Sequence, residues 1–390
     1  MLDFTFCSPT QFYFGRDTQK KAGELCAAYG RKVLLHYGGG SVIKSGLLDT
    51  VKESLAKAGV AWAELGGVQP NPRDTLIYEG IELCKREGVD VVLAVGGGSV
   101  IDSAKAIAVG VKYDGDFWDM YVGKAVPKDI LPLGVILTLP AAGSEVSNSS
   151  VVTKEAEQLK RFCDAELMRP KFAIMNPELT FTLPPYQTAC GCTDMMAHVM
   201  ERYFTNTPEV EVSDRMCEGV IRAVMKYAGI LMETPEDYDA RANIMWAGSV
   251  AHSDILGVGR QQDWSTHMME HELSGLYDVA HGAGLAVMFP AFLKYQLPYR
   301  VQRVAQFAVR VLGVSMDFEK PERTALEGIR RLEAFYRSIG MPTSFQEIGA
   351  KEEDIEFMAN KCLLNNGDKL GNFHPLTRKQ IAEVYRLACR

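Results

Sequence analysis

The chain runs to 390 residues, 47% hydrophobic and 23% charged, with 42 Lys and Arg against 49 Asp and Glu for a formal net charge of -7. That length exceeds what one hydrophobic core supports and excludes a single small module, while the composition excludes disorder and fibres. The acidic balance, with no dense basic run to follow a phosphate backbone, excludes nucleic acid as a partner.

In chain order, residues 4–14 (FTFCSPTQFYF) form an aromatic, strand-like stretch. Such an edge left uncovered invites aggregation, so it is expected to pair, either across a homodimer or within its own chain. The start carries no basic and apolar leader pattern, and no apolar stretch reaches the roughly 18 residues of a membrane helix, so a cytoplasmic location with no membrane contact is expected. Apolar β-type runs at 32–37, 91–95, 133–139 and 172–175 alternate with helical patterns at 42–58 and 100–111. Strand and helix in alternation predict a parallel sheet covered by helices. From Leu183-Pro184-Pro185 onward the pattern becomes long and helical, Pro being favoured at a helix start. The expected organisation is an α/β domain over 1–183 and an all-α domain over 184–390. Nine cysteines, an odd number with no C-x-x-C pair, argue against a disulfide framework and read as small buried hydrophobes.

One hexapeptide occurs twice. Gly38-Gly39-Gly40-Ser41-Val42-Ile43 recurs as Gly96-Gly97-Gly98-Ser99-Val100-Ile101, each after an apolar strand and before a helix. A glycine turn at a helix start lets backbone N–H groups approach an anion, which makes a nucleotide plausible there. Neither copy is G-x-G-x-x-G or a Walker A loop. Position 44 is Lys and position 102 is Asp, so the two corners are expected to touch different parts of one ligand. An NAD-specific site places a carboxylate after such a strand to hold the ribose hydroxyl. The first corner has none and has Lys44 instead, so NADP(H) is favoured over NAD(H).

Five of the seven histidines, His198, His252, His267, His271 and His281, fall between 198 and 281. Asp194 and His198 stand four apart, as do His267 and His271, and His281 follows a short turn; helical spacing puts each pair on one face. An Asp-x-x-x-His pair alone is commonly a polar helix face, but Asp with three imidazoles is a donor set for Fe(II), Zn(II) or Mn(II). Gly275 stands where H-E-x-x-H requires its second His, which excludes a zincin, and no G-x-S-x-G elbow occurs. His36 and His252 are expected to pack or bond at the surface, and His374 to line a site or shape a turn. Trp246, Gln262, Asp263, Trp264 and Phe373 are candidates to bound a substrate pocket.

These residues resemble a known family, the iron-containing (group III, metal-dependent) alcohol dehydrogenases, and within it the butanol dehydrogenase and broad-range aldehyde reductase branch. The resemblance spans the chain and rests on Phe14-Gly15, Tyr37 to Ser41, Pro70-Asn71-Pro72, Val95 to Ser99 with Asp102 and Lys105, Thr138 to Glu145, Asp194 with His198, and 267–284. It implies an N-terminal Rossmann-like dinucleotide-binding domain and a C-terminal helical metal-binding domain of the dehydroquinate synthase-like fold. It further implies one divalent metal, Fe(II) foremost, on Asp194, His198, His267 and His281. His271 would lie near the nicotinamide as the candidate catalytic proton donor. For the cofactor, NADP with NAD as the alternative, it implies Gly97, Gly98, Ser99 and Asp102 at the pyrophosphate and its ribose. Gly38, Gly39, Gly40 and Ser41 would hold the 2′-phosphate, and Asn71, Thr138, Leu139, Ser147, Lys160 and Leu179 would line the rest. Many members read T-T-A-G-T-G-S-E where this chain has Leu139-Pro140-Ala141-Ala142-Gly143-Ser144-Glu145, which alters the hydroxyl contacts offered to a cofactor. The implied activity interconverts small primary alcohols and aldehydes. The competing readings are a lyase of the dehydroquinate synthase type and a non-catalytic nucleotide or metal sensor.

Overall fold

The computed structural model describes residues 1–364 and 367–389. They group into two compact units: Cys7–Leu183 with Glu236–Met245, and Met1–Phe6, Pro184–Pro235 and Trp246–Arg390. Two short segments thus group across the single 183/184 cut that the sequence suggests.

The first unit holds a six-stranded sheet of β1 (Gln11–Phe14), β2 (Lys32–Tyr37), β3 (Ala61–Leu65), β4 (Val91–Gly97), β5 (Leu133–Leu139) and β8 (Phe172–Met175). Between β5 and β8, β6 (Ser149–Lys154) and β7 (Leu159–Asp164) form an antiparallel hairpin. The sheet order is β1-β8-β5-β4-β2-β3 and every pairing in it is parallel. Its middle strands are apolar along their whole length because both faces are covered. Alternate residues supply two cores: Leu34, Val92, Ala94 and Val135 pack with the helix Gly98–Val111, and Val33, Leu35, Val91 and Leu93 pack with Leu48, Val51 and Leu55.

Two expectations are corrected here. The helix expected over 42–58 is two helices, Ser41–Lys44 and Leu47–Lys57, because Gly46 takes the left-handed backbone (φ 73°) that ends the first turn. The aromatic N-terminal stretch is a strand only over Gln11–Phe14, and it pairs with β8 of its own chain.

The second unit is helical. Its long helices are Pro185–Tyr203, Glu211–Glu233, Ser265–Tyr277, His281–Arg310 and Pro321–Ser338. Asp214 ties three parts of it together: Arg303 grips both carboxylate oxygens at 2.5 and 2.6 Å and also donates to the Tyr203 carbonyl, while Arg260 reaches the same carboxylate at 2.8 Å. Among the described residues no helix is long and apolar enough to cross a membrane. Seven of the nine cysteines are buried and none is bridged.

His36, on β2, is fully buried, with Nδ1 2.9 Å from the Leu65 carbonyl and Nε2 2.8 Å from Ser103 Oγ. Burial pushes its pKa down to about 4, so the folded chain keeps the ring neutral. Unfolding lets it take a proton, so its contribution is complete above pH 6.5 and is lost as pH falls towards 4. The limiting effect is about 3 kcal/mol. Urea titrations from pH 7 to 4 should show a steeper loss of stability in the wild type than in His36→Gln, by that order.

Candidate functional site

The two glycine corners lie at the carboxyl ends of β2 and β4, strands that are neighbours in the sheet. From β2 the chain continues outward to β3, and from β4 it continues the other way to β5, so the corners flank the point where strand order reverses. Open α/β sheets bind ligands outside such a point.

The two copies of the repeat do different things. A Cβ on Gly96 would stand 2.4 Å from Val100 Cγ2 and one on Gly97 2.9 Å from Leu139 Cβ, so the fold itself demands glycine there. On Gly39 a Cβ would meet nothing within 4 Å, and on Gly38 or Gly40 only ordinary contacts. The helix after the second corner is fourteen residues long, and no side chain caps its start. The helix after the first corner is a single turn carrying exposed Ser41 and Lys44.

Asp102 sits four residues into the second helix. It is buried, its Oδ2 accepts from the Val151 amide at 3.1 Å, and its Oδ1 has no hydrogen-bond partner. Burial pushes its pKa up to about 6 against the pull of Lys105. Lys105 is fully buried and donates to the carbonyls of Ser147 and Ser149 and to Ser147 Oγ, so Ser147 belongs to an internal clamp. Thr138 and Leu139 end β5, half-buried. Asn71 is buried with left-handed backbone (φ 53°), Lys160 is buried on β7, and Leu179 packs against the core behind β2.

In the helical unit, Asp194 and His198 lie on Pro185–Tyr203, His267 and His271 on Ser265–Tyr277, and His281 opens His281–Arg310. These helices meet closely because position 282 is glycine: a Cβ there would stand 2.1 Å from the Cys190 carbonyl oxygen, one helical turn before Asp194. Asp194 Oδ1 is 3.3 Å from His198 Nδ1, 3.7 Å from His281 Nε2 and 3.9 Å from His267 Nε2. Donor atoms of Asp194, His267 and His281 all lie within 4.8 Å of one another, and His198 adjoins that cluster through Asp194. Asp194 Oδ1, His198 Nδ1 and His267 Nε2 are buried without a hydrogen-bond partner. Burial opposes ionisation of Asp194, but His198, His281 and His267 hold it well below the usual carboxylate range. Burial pushes His198 well below its ordinary value. It acts the same way on His267, but the Asp194 and Glu201 carboxylates outweigh it and carry that ring up to about 9.

Two carboxylates that the sequence reading passed over stand behind these rings. Glu201 accepts from His267 Nδ1 at 2.9 Å and from the Trp264 and His267 amides, and Glu270 accepts from His281 Nδ1 and Ser274 Oγ. Helical spacing carried the signal: Asp194, His198 and Glu201 run i, i+4, i+7, and His267, Glu270, His271 and Ser274 run i, i+3, i+4, i+7. His271 is buried, its ring 5.6 Å from that of His281. His252, expected to pack or to bond at the surface, has its ring 4.2 Å from that of His198. Of the five residues expected to bound a pocket, Trp264 packs edge-on against His198 and His267, whereas Phe373 is core against Phe204 and Asp263 binds the 372–373 amides. Trp246 is about half exposed, and Gln262 accepts from the Trp264 indole. His374 stacks on Tyr299 with centroids 3.9 Å apart.

Comparison with known proteins agrees over the whole length. The family model described as iron-containing alcohol dehydrogenase matches residues 9–177, and that of the Fe-containing alcohol dehydrogenase family, C-terminal, matches 188–389. The chain is 42% identical over 386 residues to the probable NADH-dependent butanol dehydrogenase 1 of Bacillus subtilis, covering 99% of each. It is 32% identical to the NADPH-dependent aldehyde reductase of Escherichia coli over 100% of both. The crystal structure of NADH-dependent butanol dehydrogenase A from Thermotoga maritima superposes with a TM-score of 0.96 at 40% identity, covering 100% of this chain and 99% of that one. With both family models and full-length relatives in agreement, the chain belongs to the iron-containing alcohol dehydrogenase family.

Proposed function

We propose that this oxidoreductase of the alcohol dehydrogenase family acts on small primary alcohols and their aldehydes at a divalent metal held by Asp194, His198, His267 and His281. The balanced reaction is alcohol + NAD(P)⁺ ⇌ aldehyde + NAD(P)H + H⁺. The observation that carries the reading is Asp194 Oδ1, buried and without a hydrogen bond, ringed by three imidazole nitrogens at 3.3–3.9 Å. Donors about 2.1 Å from a shared ion stand about 3.4 Å apart, longer than a hydrogen bond and close to this spacing. When bound, the metal polarises the substrate oxygen as a Lewis acid and the nicotinamide gives or takes the hydride.

The chain's own residues prepare both. His267 and His281 each donate Nδ1–H to a carboxylate, which fixes the ring orientation and turns Nε2 towards Asp194; on metal binding His267 would give up the proton it otherwise carries there. Asp194 supplies the negative charge that offsets a dication. His271 is the candidate to return a proton to the product oxygen in the reducing direction. On the sheet unit, the uncapped start of Gly98–Val111 suits the pyrophosphate, and the unpartnered Asp102 Oδ1 suits a ribose hydroxyl. A Cβ on Gly39 would meet nothing within 4 Å and one on Gly38 or Gly40 only ordinary contacts, so the corner from Gly38 to Ser41 suits the 2′-phosphate of NADP(H). A one-turn helix lends little dipole, so Ser41 and Lys44 must do the holding. NADH is the second reading, since the Bacillus subtilis relative is named for NADH and the Escherichia coli relative for NADPH. Fe(II) is the proposed native ion, with Zn(II) or Mn(II) as alternatives. The outermost position of β1, with exposed Phe4 and Phe6 before it, supports a homodimer.

Butanal reduction should vanish on chelation and return with Fe(II), Zn(II) or Mn(II), and Asp194→Ala should lose bound metal and lower turnover by about 10³ or more. Full metal content in Asp194→Ala would sink the ligand assignment. Lys44→Glu should raise KM for NADPH about tenfold, an effect of about 1.4 kcal/mol, and leave NADH unchanged. Equal effects on both cofactors would remove Lys44 from the 2′-phosphate site. Light scattering should give twice the 43.1 kDa chain mass.

A further inference from the structure

The carboxylate behind His281 is placed differently from the one behind His267. Glu201 is built into the start of its neighbouring helix through the Trp264 and His267 amides. Glu270 is fully buried in the middle of Ser265–Tyr277. One oxygen accepts from His281 Nδ1 and the other from Ser274 Oγ, and donor atoms of Glu270, His271 and His281 all lie within 4.8 Å of one another. The space for this carboxylate depends on position 284. A Cβ on Gly284 would stand 2.7 Å from Glu270 Oε1 and 2.8 Å from its Cγ, and a fully buried side chain has nowhere to swing.

Resting on the ligand set proposed above, we propose that Glu270 is a positioning residue: it sets the orientation of the His281 ring from behind and keeps His271 beside it, with Gly284 as the vacancy that admits it. His281 is the first residue of its helix and its side chain is 23% exposed, so neighbours on its own helix enclose it on one side only. An imidazole that donates one nitrogen to a fixed carboxylate is held in one tautomer and one ring orientation. Losing such a partner commonly weakens metal binding 10–100-fold. Ser274 adds a controllable feature. Its hydroxyl lies 3.1 Å from the Val279 carbonyl as well, so it can turn its hydrogen there and accept instead. An amide at 270 would therefore still accept from His281 while donating to Ser274.

The test titrates Zn(II) alone into chelator-treated wild type, Glu270→Ala, Glu270→Gln, Gly284→Ala and Asp194→Ala against a chromophoric competitor. KM and kcat for butanal are then measured on the Zn(II)-loaded proteins. Glu270→Ala should weaken Zn(II) binding 10–100-fold. Glu270→Gln should recover to within a few-fold of wild type, and Gly284→Ala, which keeps the carboxylate but crowds it, should weaken binding about tenfold. At saturating Zn(II) the loss in Glu270→Ala should fall on kcat more than on KM. If Glu270→Ala does not fold, Gly284→Ala against Glu270→Gln decides. Wild-type affinity in both Glu270→Ala and Gly284→Ala, with Asp194→Ala deficient, overturns the role of Glu270 and leaves the ligand set standing. Wild-type affinity in Asp194→Ala overturns both. Glu270→Gln as weak as Glu270→Ala overturns positioning, because charge would then be the whole effect.

Discussion

A carboxylate buried in the middle of a helix with an oxygen that accepts no hydrogen bond is a large liability, and the centre of the helical unit is organised around offsetting it. Asp194 is that group. Leaving such a charge uncompensated costs several kcal/mol, so the surrounding elements must bring positive or polarisable partners. Three imidazoles converge on it from three helices. Two of them are backed by further carboxylates, which alternates charge and ring outward from the centre. The Asp214 network with Arg303 and Arg260 holds the same helices from another side.

Much of this was legible in the sequence because it follows simple periods. The buried strands β2, β4, β5 and β8 are mostly apolar runs, and that pattern marks all four in the sequence. β3, with Trp62 and Glu64 half-exposed at the sheet edge, and the mixed-polarity hairpin β6–β7 have no such run and were not anticipated. The histidines announced themselves by their rarity and spacing. Glu201 and Glu270 did not, since Glu is common on helices and only burial distinguishes these two. Gly46 broke a helix whose apolar period ran straight through it, because one left-handed residue leaves hydrophobic spacing almost untouched.

The repeated hexapeptide shows how far identical sequence is from identical role. In the second copy Gly96 and Gly97 are required by Val100 and Leu139, which press against them. In the first copy no neighbour crowds the glycines closer than an ordinary contact, and the following helix lasts one turn instead of four. Sequence identity conveyed that both are strand-to-helix corners. Which glycines serve the fold and which leave room for something else depends on neighbours far away in the chain.

The contact of Gly282 with the Cys190 carbonyl is main chain on main chain, with no side chain between to yield. Packed interiors transmit strain and compress little. The separation of the two helix backbones that carry His281 and Asp194 is therefore set by contact at this point, a length that no rotamer change adjusts. In the metal site proposed above, any adjustment to the size of an ion therefore falls on the side chains, because the helix backbones behind them have no slack to give.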